Sequence, residues 1–192
     1  MGNTNNPYGF RPDQFLYGGT GAFPVWEGKV LSNHVFTFGD AVYASAGYLR
    51  NAATSDKAIV GVCAANRVRS NAGLYPSRQS NAAITKAVGR PKMLFYPALD
   101  GVVYSGQCSG TTSCTQGIVW TLRDIEGTAA NSTGVSSQKV NEDAVTNKNI
   151  YVIGWRGNTS APGAYAEVLF TFAKNKFSAR GIDATSTTLI GS

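Results

Sequence analysis

The strongest constraint on the fold is an excess of β-branched and aromatic residues over helix-forming ones. The chain has 16 Val, 8 Ile and 17 Thr, but only 9 Leu, 8 Lys and 4 Glu. Branched and aromatic side chains pack well on a pleated sheet, whereas helices favour Leu, Glu and Lys. No stretch has the pattern of a long amphipathic helix. We therefore predict an all-β protein.

The length and composition favour a single domain. A chain of 192 residues is short for two domains, and it can bury roughly 70% of its unfolded surface without a metal or a disulfide. No apolar run approaches the length of about 18 residues that a membrane-spanning helix requires. The first residues have neither the basic flank nor the apolar stretch of a secretory signal peptide. We therefore expect a protein that is made and used in a cytoplasm and has no membrane partner.

Short apolar runs separated by Gly, Asn and Ser indicate strands through the middle of the chain. Residues 164–172 alternate between apolar and mixed faces, which is typical of a half-buried strand. Residues 118–122 are predicted to form a buried strand. Asp100-Gly101 lies between two apolar runs and predicts a two-residue hairpin. The pattern favours an antiparallel β-sandwich or a jelly-roll-like barrel over residues 26–177.

The two ends of the chain lack this strand pattern. In residues 1–25, three prolines and several glycines disfavour a helix and remove backbone donors from a sheet. Because the segment is also aromatic, we expect an extended N-terminal arm that packs on its own domain or on a neighbouring subunit. Residues 178–192 are small and polar, and we predict a flexible tail. The candidate contact residues of the arm are Pro7, Tyr8, Phe10, Arg11, Phe15 and Tyr17.

Positive charge is concentrated in one part of the chain, because seven basic residues and no acidic residue lie between Lys57 and Leu99. We interpret residues 66–91 as a long basic loop, or as a loop that carries a short helix. It is either a solvated loop without a special role or a contact with an acidic protein surface or a nucleic acid. Since Tyr75 is its one aromatic residue, nucleic-acid stacking is the weaker expectation. The candidate contact residues are Arg67, Arg69, Arg78 and Lys86.

The residues that carry most enzyme and metal chemistry are scarce or badly spaced. His34 is the single histidine and shares an apolar strand face with two phenylalanines, which favours a structural role. Cys63 lies in an apolar run and is predicted to be a buried hydrophobic residue. Cys108 and Cys114 flank a turn-like segment and could meet across a hairpin, but a reducing cytoplasm would keep them as thiols. No C-x-x-C spacing is present, and we expect no metal and no cofactor.

Two carboxylates remain as candidates for catalysis. Asp124 and Glu126 would share one face of a strand, and paired carboxylates perform acid/base chemistry in glycosidases. We prefer the interpretation that they lie on a solvated strand face beside Arg123. No glycine-rich phosphate-binding loop is present. We therefore predict a protein with no catalytic residue and no small-molecule substrate.

Several short motifs occur in a recognisable order along the chain. Asn-Pro-Tyr-Gly-Phe-Arg-Pro stands at residues 6–12, Phe-Gly-Asp-Ala-Val at residues 38–42, and Ile-Val-Gly-Val at residues 59–62. Further segments follow at residues 132–136, 141–143, 150–154 and 163–168. In sequence and order these segments resemble the head decoration, or cement, proteins of tailed bacteriophages. The resemblance does not extend to residues 66–91 or 108–114.

This resemblance implies a non-enzymatic virion protein that binds the exterior of the capsid and stabilises the head. The implied partners are the major capsid protein and further copies of the chain, with a trimer favoured over a dimer. Assembly would take place in the host cytoplasm. Such proteins gain affinity from avidity, because one oligomer contacts several shell subunits at once.

Carbohydrate binding by a β-domain of a phage tail or receptor-binding protein is the alternative function. Trp155 and Tyr165 are the candidate aromatic side chains for stacking on sugar rings. Both lie in segments that we predict to be buried strands, and we therefore prefer the capsid hypothesis.

Overall fold

The computed structural model describes residues 8–19, 21–30, 36–56, 59–70, 73–76, 92–110, 114–127, 136–157 and 163–173. These residues form twelve strands and one short 3-10 helix, Gln116–Ile118. The strands are β1 (Arg11–Phe15), β2 (Trp26–Lys29), β3 (Ala41–Ser45), β4 (Tyr48–Asn51), β5 (Ile59–Ser70), β6 (Gly73–Pro76), β7 (Lys92–Pro97), β8 (Val102–Gln107), β9 (Leu122–Glu126), β10 (Lys139–Asn141), β11 (Ile150–Trp155) and β12 (Glu167–Phe172).

The strands form two antiparallel sheets that pack as a sandwich. The first sheet has the order β1-β8-β12-β11-β9-β10, and the second has the order β2-β7-β5-β3-β4, with β6 paired to β5. The predicted all-β class is confirmed, and of the two architectures the sandwich is the one formed, without a closed barrel. In the described part of the chain, no helix has the length and hydrophobicity needed to span a bilayer.

The main core lies between the two sheets. Val168, Phe170 and Phe172 point inward from β12, as the alternating pattern predicted. The Tyr104 ring packs against Phe172, with ring centroids 4.9 Å apart. The Phe10 ring meets Phe170 edge to face at 5.1 Å. This aromatic cluster supplies large buried rings and edge-to-face contacts that stabilise the core.

A second apolar cluster lies on the other face of the second sheet. It contains Phe36, Met93, Phe95 and the free thiol Cys63, which is buried as predicted. A single parallel bridge between Val30 and Leu49 brings the ends of this sheet together. The second sheet therefore curls around its own small core while its opposite face contributes to the main one.

The hairpin predicted around Asp100-Gly101 is wrong. β7 pairs with β2 and β5, whereas β8 pairs with β1 and β12, so the two runs belong to different sheets. The Tyr104 hydroxyl donates a hydrogen bond to the Pro97 carbonyl at 2.9 Å and holds the connection at the sandwich edge. An Asp-Gly pair specifies a local reversal of the chain, but it does not specify which strands then pair.

The strand predicted over residues 118–122 is also wrong. The segment begins with the end of the 3-10 helix, and β9 starts only at Leu122. Trp120 adopts a left-handed backbone conformation, with φ of 65°, and its side chain is 66% exposed. A left-handed residue cannot continue a strand, which has negative φ angles.

The N-terminal arm is part of the sandwich. β1 pairs with β8 at the edge of the first sheet, with a register shift between Pro12 and Gln14. Phe10 is fully buried in the main core. The β domain therefore begins before residue 26, and the expectation of an arm without secondary structure is wrong for residues 11–15. Proline did not prevent the strand because an edge position leaves one side of the strand unpaired.

The predicted basic loop is partly a β-hairpin. β5 extends to Ser70, and its last residues pair with β6, with Arg67 opposite Pro76 and Arg69 opposite Leu74. The expectation of a continuous loop over residues 66–91 is therefore wrong for its first part. Arg78 and Lys86 lie outside the described residues, as do Pro7, His34 and the predicted tail of residues 178–192.

A buried amide connects the two halves of the molecule. Gln138, which is fully buried, accepts a hydrogen bond from the Ala41 amide at 2.5 Å through Oε1. Its Nε2 donates to the Ala52 carbonyl at 2.9 Å. The Asn149 side chain makes a second link of this kind. Its Oδ1 accepts a hydrogen bond from the Ile125 backbone amide, and its Nδ2 donates one to the Asp56 carbonyl. These bonds fix the position of the first sheet on the loops and strands of the second.

Asp40 lies beside this junction and is also buried. One carboxylate oxygen accepts hydrogen bonds from the Thr37 backbone amide at 2.7 Å, the Thr37 hydroxyl at 3.1 Å and the Asn51 side-chain Nδ2 at 3.2 Å. Burial raises the pKa of Asp40 above its usual range, although hydrogen bonds oppose that shift. The folded protein therefore holds the Asp40 proton more tightly than the unfolded chain does.

We predict that Phe10→Ala lowers the free energy of unfolding by about 3–5 kcal/mol, because it empties a large volume in the main core. Denaturant titration measures the change. Tyr17→Ala is the matched control, because Tyr17 is 87% exposed and an exposed truncation changes stability by only about 0.5 kcal/mol. Equal stability of Phe10→Ala and the wild type would show that the N-terminal segment does not occupy the core.

We predict that Asp40→Asn removes a pH-dependent loss of stability. Since the folded pKa is raised, stability from Asp40 is full below the unfolded value of 3.8 and is lost as pH rises through the folded value. Asparagine keeps an acceptor for the donors of Thr37 and Asn51 and carries no charge. Denaturant titrations between about pH 4 and about pH 8 should therefore show the wild type losing stability relative to the variant. A difference that stays constant or changes in the opposite direction contradicts the prediction.

Candidate functional site

Two connections carry the chain between the sheets along one edge of the sandwich. One runs from the end of β1 to the start of β2, and the other runs from the end of β7 to the start of β8. The Leu16 amide donates a hydrogen bond to the Gly101 carbonyl at 2.7 Å, which joins the two connections. We call this region, formed by residues 15–19, 21–26 and 94–101, the crossover edge.

Aromatic contacts hold the crossover edge in one shape. Phe15 stacks on Phe23 with ring centroids 4.9 Å apart, and Phe23 meets the Tyr96 ring at 6.4 Å. All three rings are partly buried against the main core. Trp26 meets Phe95 edge to face at 6.4 Å, which links the start of β2 to the second core. The segment between β1 and β2 is therefore packed on the domain at both of its ends.

The crossover edge carries most of the exposed large apolar side chains. Seven such side chains are exposed among the described residues, and five of them lie on this edge. They are Leu16, Tyr17, Val25, Trp26 and Leu94. Trp26 lies opposite Phe95 and Leu94 lies opposite Glu27, so Trp26 and Leu94 belong to opposite faces of the β2–β7 pair. Several exposed apolar side chains in one region still mark an interaction surface, whereas single ones are ordinary on any protein. The crossover edge is the best candidate for a protein-binding surface.

Charged side chains connect β1 to the end of β11 and the start of β12. The Arg156 guanidinium contacts the Asp13 carboxylate at 2.7 Å and the Glu167 carboxylate at 3.1 Å. Its hydrogen bond to Glu167 and the nearby Asp13 raise the pKa of Arg156 further. Arg11 lies over the Tyr8 ring at 4.4 Å. Burial, with the charge of Glu167, raises the pKa of Tyr8 to about 12, so this phenol stays neutral at any physiological pH.

The predicted contact residues of the arm divide into two groups. Phe10 is in the main core and Phe15 stacks internally, so neither ring is available to a partner. Tyr8 is half-buried beneath the exposed Arg11, and Tyr17 is the most exposed large apolar side chain of the described residues. The aromatic composition of the arm indicated its importance but could not separate inward from outward rings. Alternation along β1 would not separate them either, because a register shift interrupts it.

Cys108, Cys114 and Glu142 form a buried group at the end of β8. Their potential ligand atoms lie within 4.8 Å of one another. A disulfide joins Cys108 to Cys114, which corrects the expectation of free thiols. Because the disulfide occupies both sulfurs, Glu142 alone could contact a cation. The Glu142 carboxylate instead accepts hydrogen bonds from the Ser109 amide at 3.0 Å and the Ser109 hydroxyl at 2.7 Å, which fixes the turn after β8.

Of the two carboxylates that are candidates for catalysis, Asp124 has a structural role. Asp124 is buried, which corrects its prediction as part of a solvated face. Its oxygens accept hydrogen bonds from three successive backbone amides, those of Thr146 at 3.1 Å, Asn147 at 2.9 Å and Lys148 at 2.6 Å. Asp124 therefore organises the loop before β11. Glu126 is half-buried in the same strand, opposite Lys139.

The two aromatic residues considered for sugar binding do not form an open platform. The Trp155 indole donates to the Gln116 side chain at 2.9 Å and packs against the main core. The Tyr165 ring lies beneath the Lys139 ammonium at 5.6 Å. Trp120 is more exposed than either of them, although the sequence pattern of its segment predicts a buried strand.

Comparison of the chain with protein-family models, with curated proteins and with solved structures gives no match.

We predict that Cys114→Ser lowers the free energy of unfolding by about 2 kcal/mol, because it releases the short loop that the disulfide closes. Reductant should lower the stability of the wild type by a similar amount and should leave the variant unchanged. Denaturant titration with and without a thiol reductant measures both effects. A wild type that is insensitive to reductant would contradict a stabilising disulfide.

Proposed function

We propose that this chain is a head decoration protein of a tailed bacteriophage. In this proposal it binds the exterior of the major capsid shell as a homo-oligomer, a trimer rather than a dimer, and stabilises the head without catalysing a reaction. Its location is the outside of the virion, after assembly in the host cytoplasm. The single observation that carries the proposal is the concentration of exposed apolar side chains on the crossover edge. The order of the decoration-protein-like motifs along the sequence supports it.

The chemistry of the crossover edge suits a protein partner. Tyr17 and Trp26 are residue types that dominate binding energy in protein interfaces, where they are desolvated at the centre. The charged pair Lys92 and Glu27, which are 3.0 Å apart, lies on the same face of the β2–β7 pair as Leu94 and supplies a polar rim there. A shell built from many identical subunits repeats each of its surface sites many times. An oligomer of this chain would contact several sites at once and gain avidity.

The rigidity of the crossover edge supports the same function. Its rings stack on one another, and its two connections are joined through the backbone of Leu16 and Gly101. A surface that is already ordered loses little conformational entropy on binding. A protein that reinforces a shell can bind through such a surface without first having to order the surface residues.

The basic part of the chain offers a second contact in this proposal. Arg67 and Arg69 belong to β5 in the hairpin with β6, and Arg78 and Lys86 follow in the sequence. An acidic shell surface would attract these residues. Exposed charge contacts are screened over about 8 Å at physiological ionic strength, so this part of the affinity should fall as salt rises.

We predict that replacing both Leu16 and Tyr17 by Ser weakens binding to isolated heads of the encoding phage at least roughly tenfold, because each loss of about 1.4 kcal/mol is one factor of ten. Co-sedimentation of the purified protein with heads that lack it measures the affinity. Val145→Ser is the matched control, because Val145 is 45% exposed and does not belong to the crossover edge. The folding of each variant is verified by its unfolding transition.

Two results would contradict different parts of the proposal. If the wild-type protein does not sediment with heads at any salt concentration, the proposed capsid function is wrong. If the double variant binds heads as tightly as the wild type does, the capsid function stands but the crossover edge is not part of the interface.

A further inference from the structure

Trp120 combines backbone strain with exposure. Its φ of 65° lies in the left-handed region, where a bulky side chain is rare and costs free energy. Its side chain is nevertheless 66% exposed, so burial of the indole does not compensate for that cost. A glycine would occupy this position with less strain. The large side chain therefore calls for a reason other than folding.

The backbone around Trp120 holds the indole in a fixed position. The Trp120 amide donates a hydrogen bond to the Val152 carbonyl at 2.9 Å, and the Val152 amide donates to the Thr121 carbonyl at 3.0 Å. The Thr121 hydroxyl donates to the Ile118 carbonyl at 2.5 Å. These bonds attach the strained turn to the middle of β11. The indole is thus presented to solvent on a rigid support.

A second ring and several uncharged polar groups surround the indole. The Tyr151 ring lies 6.3 Å from the Trp120 ring at an angle of 45°, on the face of β11 opposite the buried Val152. Thr115, Gln116 and Gly117 are exposed in the same turn. The Gln116 Oε1 accepts a hydrogen bond from the Trp155 indole, and this bond orients the Gln116 side chain. The Gln116 Nε2 is then a possible donor to a ligand. Residues 115–121 contain no charged side chain.

We propose that Trp120 and Tyr151 form a binding site for a neutral carbohydrate. An exposed aromatic face accepts the flat C–H face of a pyranose ring, and nearby amide and hydroxyl groups bind its hydroxyls. The uncharged turn favours a neutral sugar over a phosphate or a nucleic acid. This site is independent of the crossover edge and of the proposed capsid function.

A protein partner fits this surface less well than a sugar does. A stable protein interface buries about 800 Å² on each side, with several apolar anchors at its centre. Trp120 is a single exposed apolar side chain with a polar surround, whereas five such side chains share the crossover edge. The two surfaces therefore suit ligands of different size.

The test uses the purified protein with cellohexaose, an uncharged β-linked glucose oligomer whose rings present C–H groups on both faces. An array of neutral glycans follows. Saturation-transfer NMR and calorimetry measure binding. We expect Trp120→Ala and Trp120→Gly each to weaken binding roughly tenfold or more. Trp26→Ala is the matched control, because Trp26 is 42% exposed on the crossover edge, and it should bind as the wild type does.

Trp120→Gly also separates binding from folding. Because glycine relieves the left-handed strain, this variant should unfold at a higher Tm than Trp120→Ala and at least match the wild type, while it fails to bind the sugar. Retained binding in Trp120→Gly would overturn the proposal. So would a wild type that binds no neutral glycan, or a loss of capsid binding in Trp120→Gly, which would assign the indole to a protein contact.

Discussion

The sandwich depends on a small number of buried polar bonds between its two sheets. The Gln138 amide joins the first sheet to Ala41 and Ala52 of the second half. Removing one partner would leave a buried donor or acceptor without a bond, at a cost of about 1–3 kcal/mol for each group. Apolar packing between sheets tolerates sliding, but these hydrogen bonds allow one relative position. The apolar core supplies the stability and Gln138 supplies the alignment.

Close packing of backbone beside this junction strengthens the same constraint. The Phe10 amide donates to the Gly39 carbonyl at 2.8 Å, which seats the N-terminal segment next to Asp40. Gly9 and Gly39 both have positive φ angles, and a Cβ atom on Gly9 would lie 2.5 Å from the Gly39 carbonyl oxygen. Glycine is required there because only a residue without a side chain allows the approach. The entry of Phe10 into the core, and with it the position of β1 and the crossover edge, follows from this contact.

The sequence predicted those features that depend on local pattern. The alternation in residues 164–172 located β12, which begins at Glu167, and its buried face. The apolar run around Cys63 coincides with the first half of β5. Local pattern does not specify which strands pair. The Asp100-Gly101 turn resembles a hairpin turn, and yet it connects strands of two different sheets. Trp120 was missed for a related reason, because an apolar run gives no sign of a left-handed residue within it. Of the candidate contacts, Tyr17 was placed on the surface and Phe10 in the core by tertiary packing that no local pattern specifies.

The structure distinguishes the apolar side chains that form the core from the exposed apolar side chains that a partner can contact. The inward rings of Phe10 and Phe15 complete the fold, while Leu16 and Tyr17, immediately beyond β1, face solvent. Electron microscopy of tailed-phage heads assembled with this protein tests the proposed capsid function most directly. The account predicts density for the sandwich on the outside of the shell, with the crossover edge against the major capsid protein. Heads without this density, or sandwiches whose crossover edge faces solvent, would contradict it.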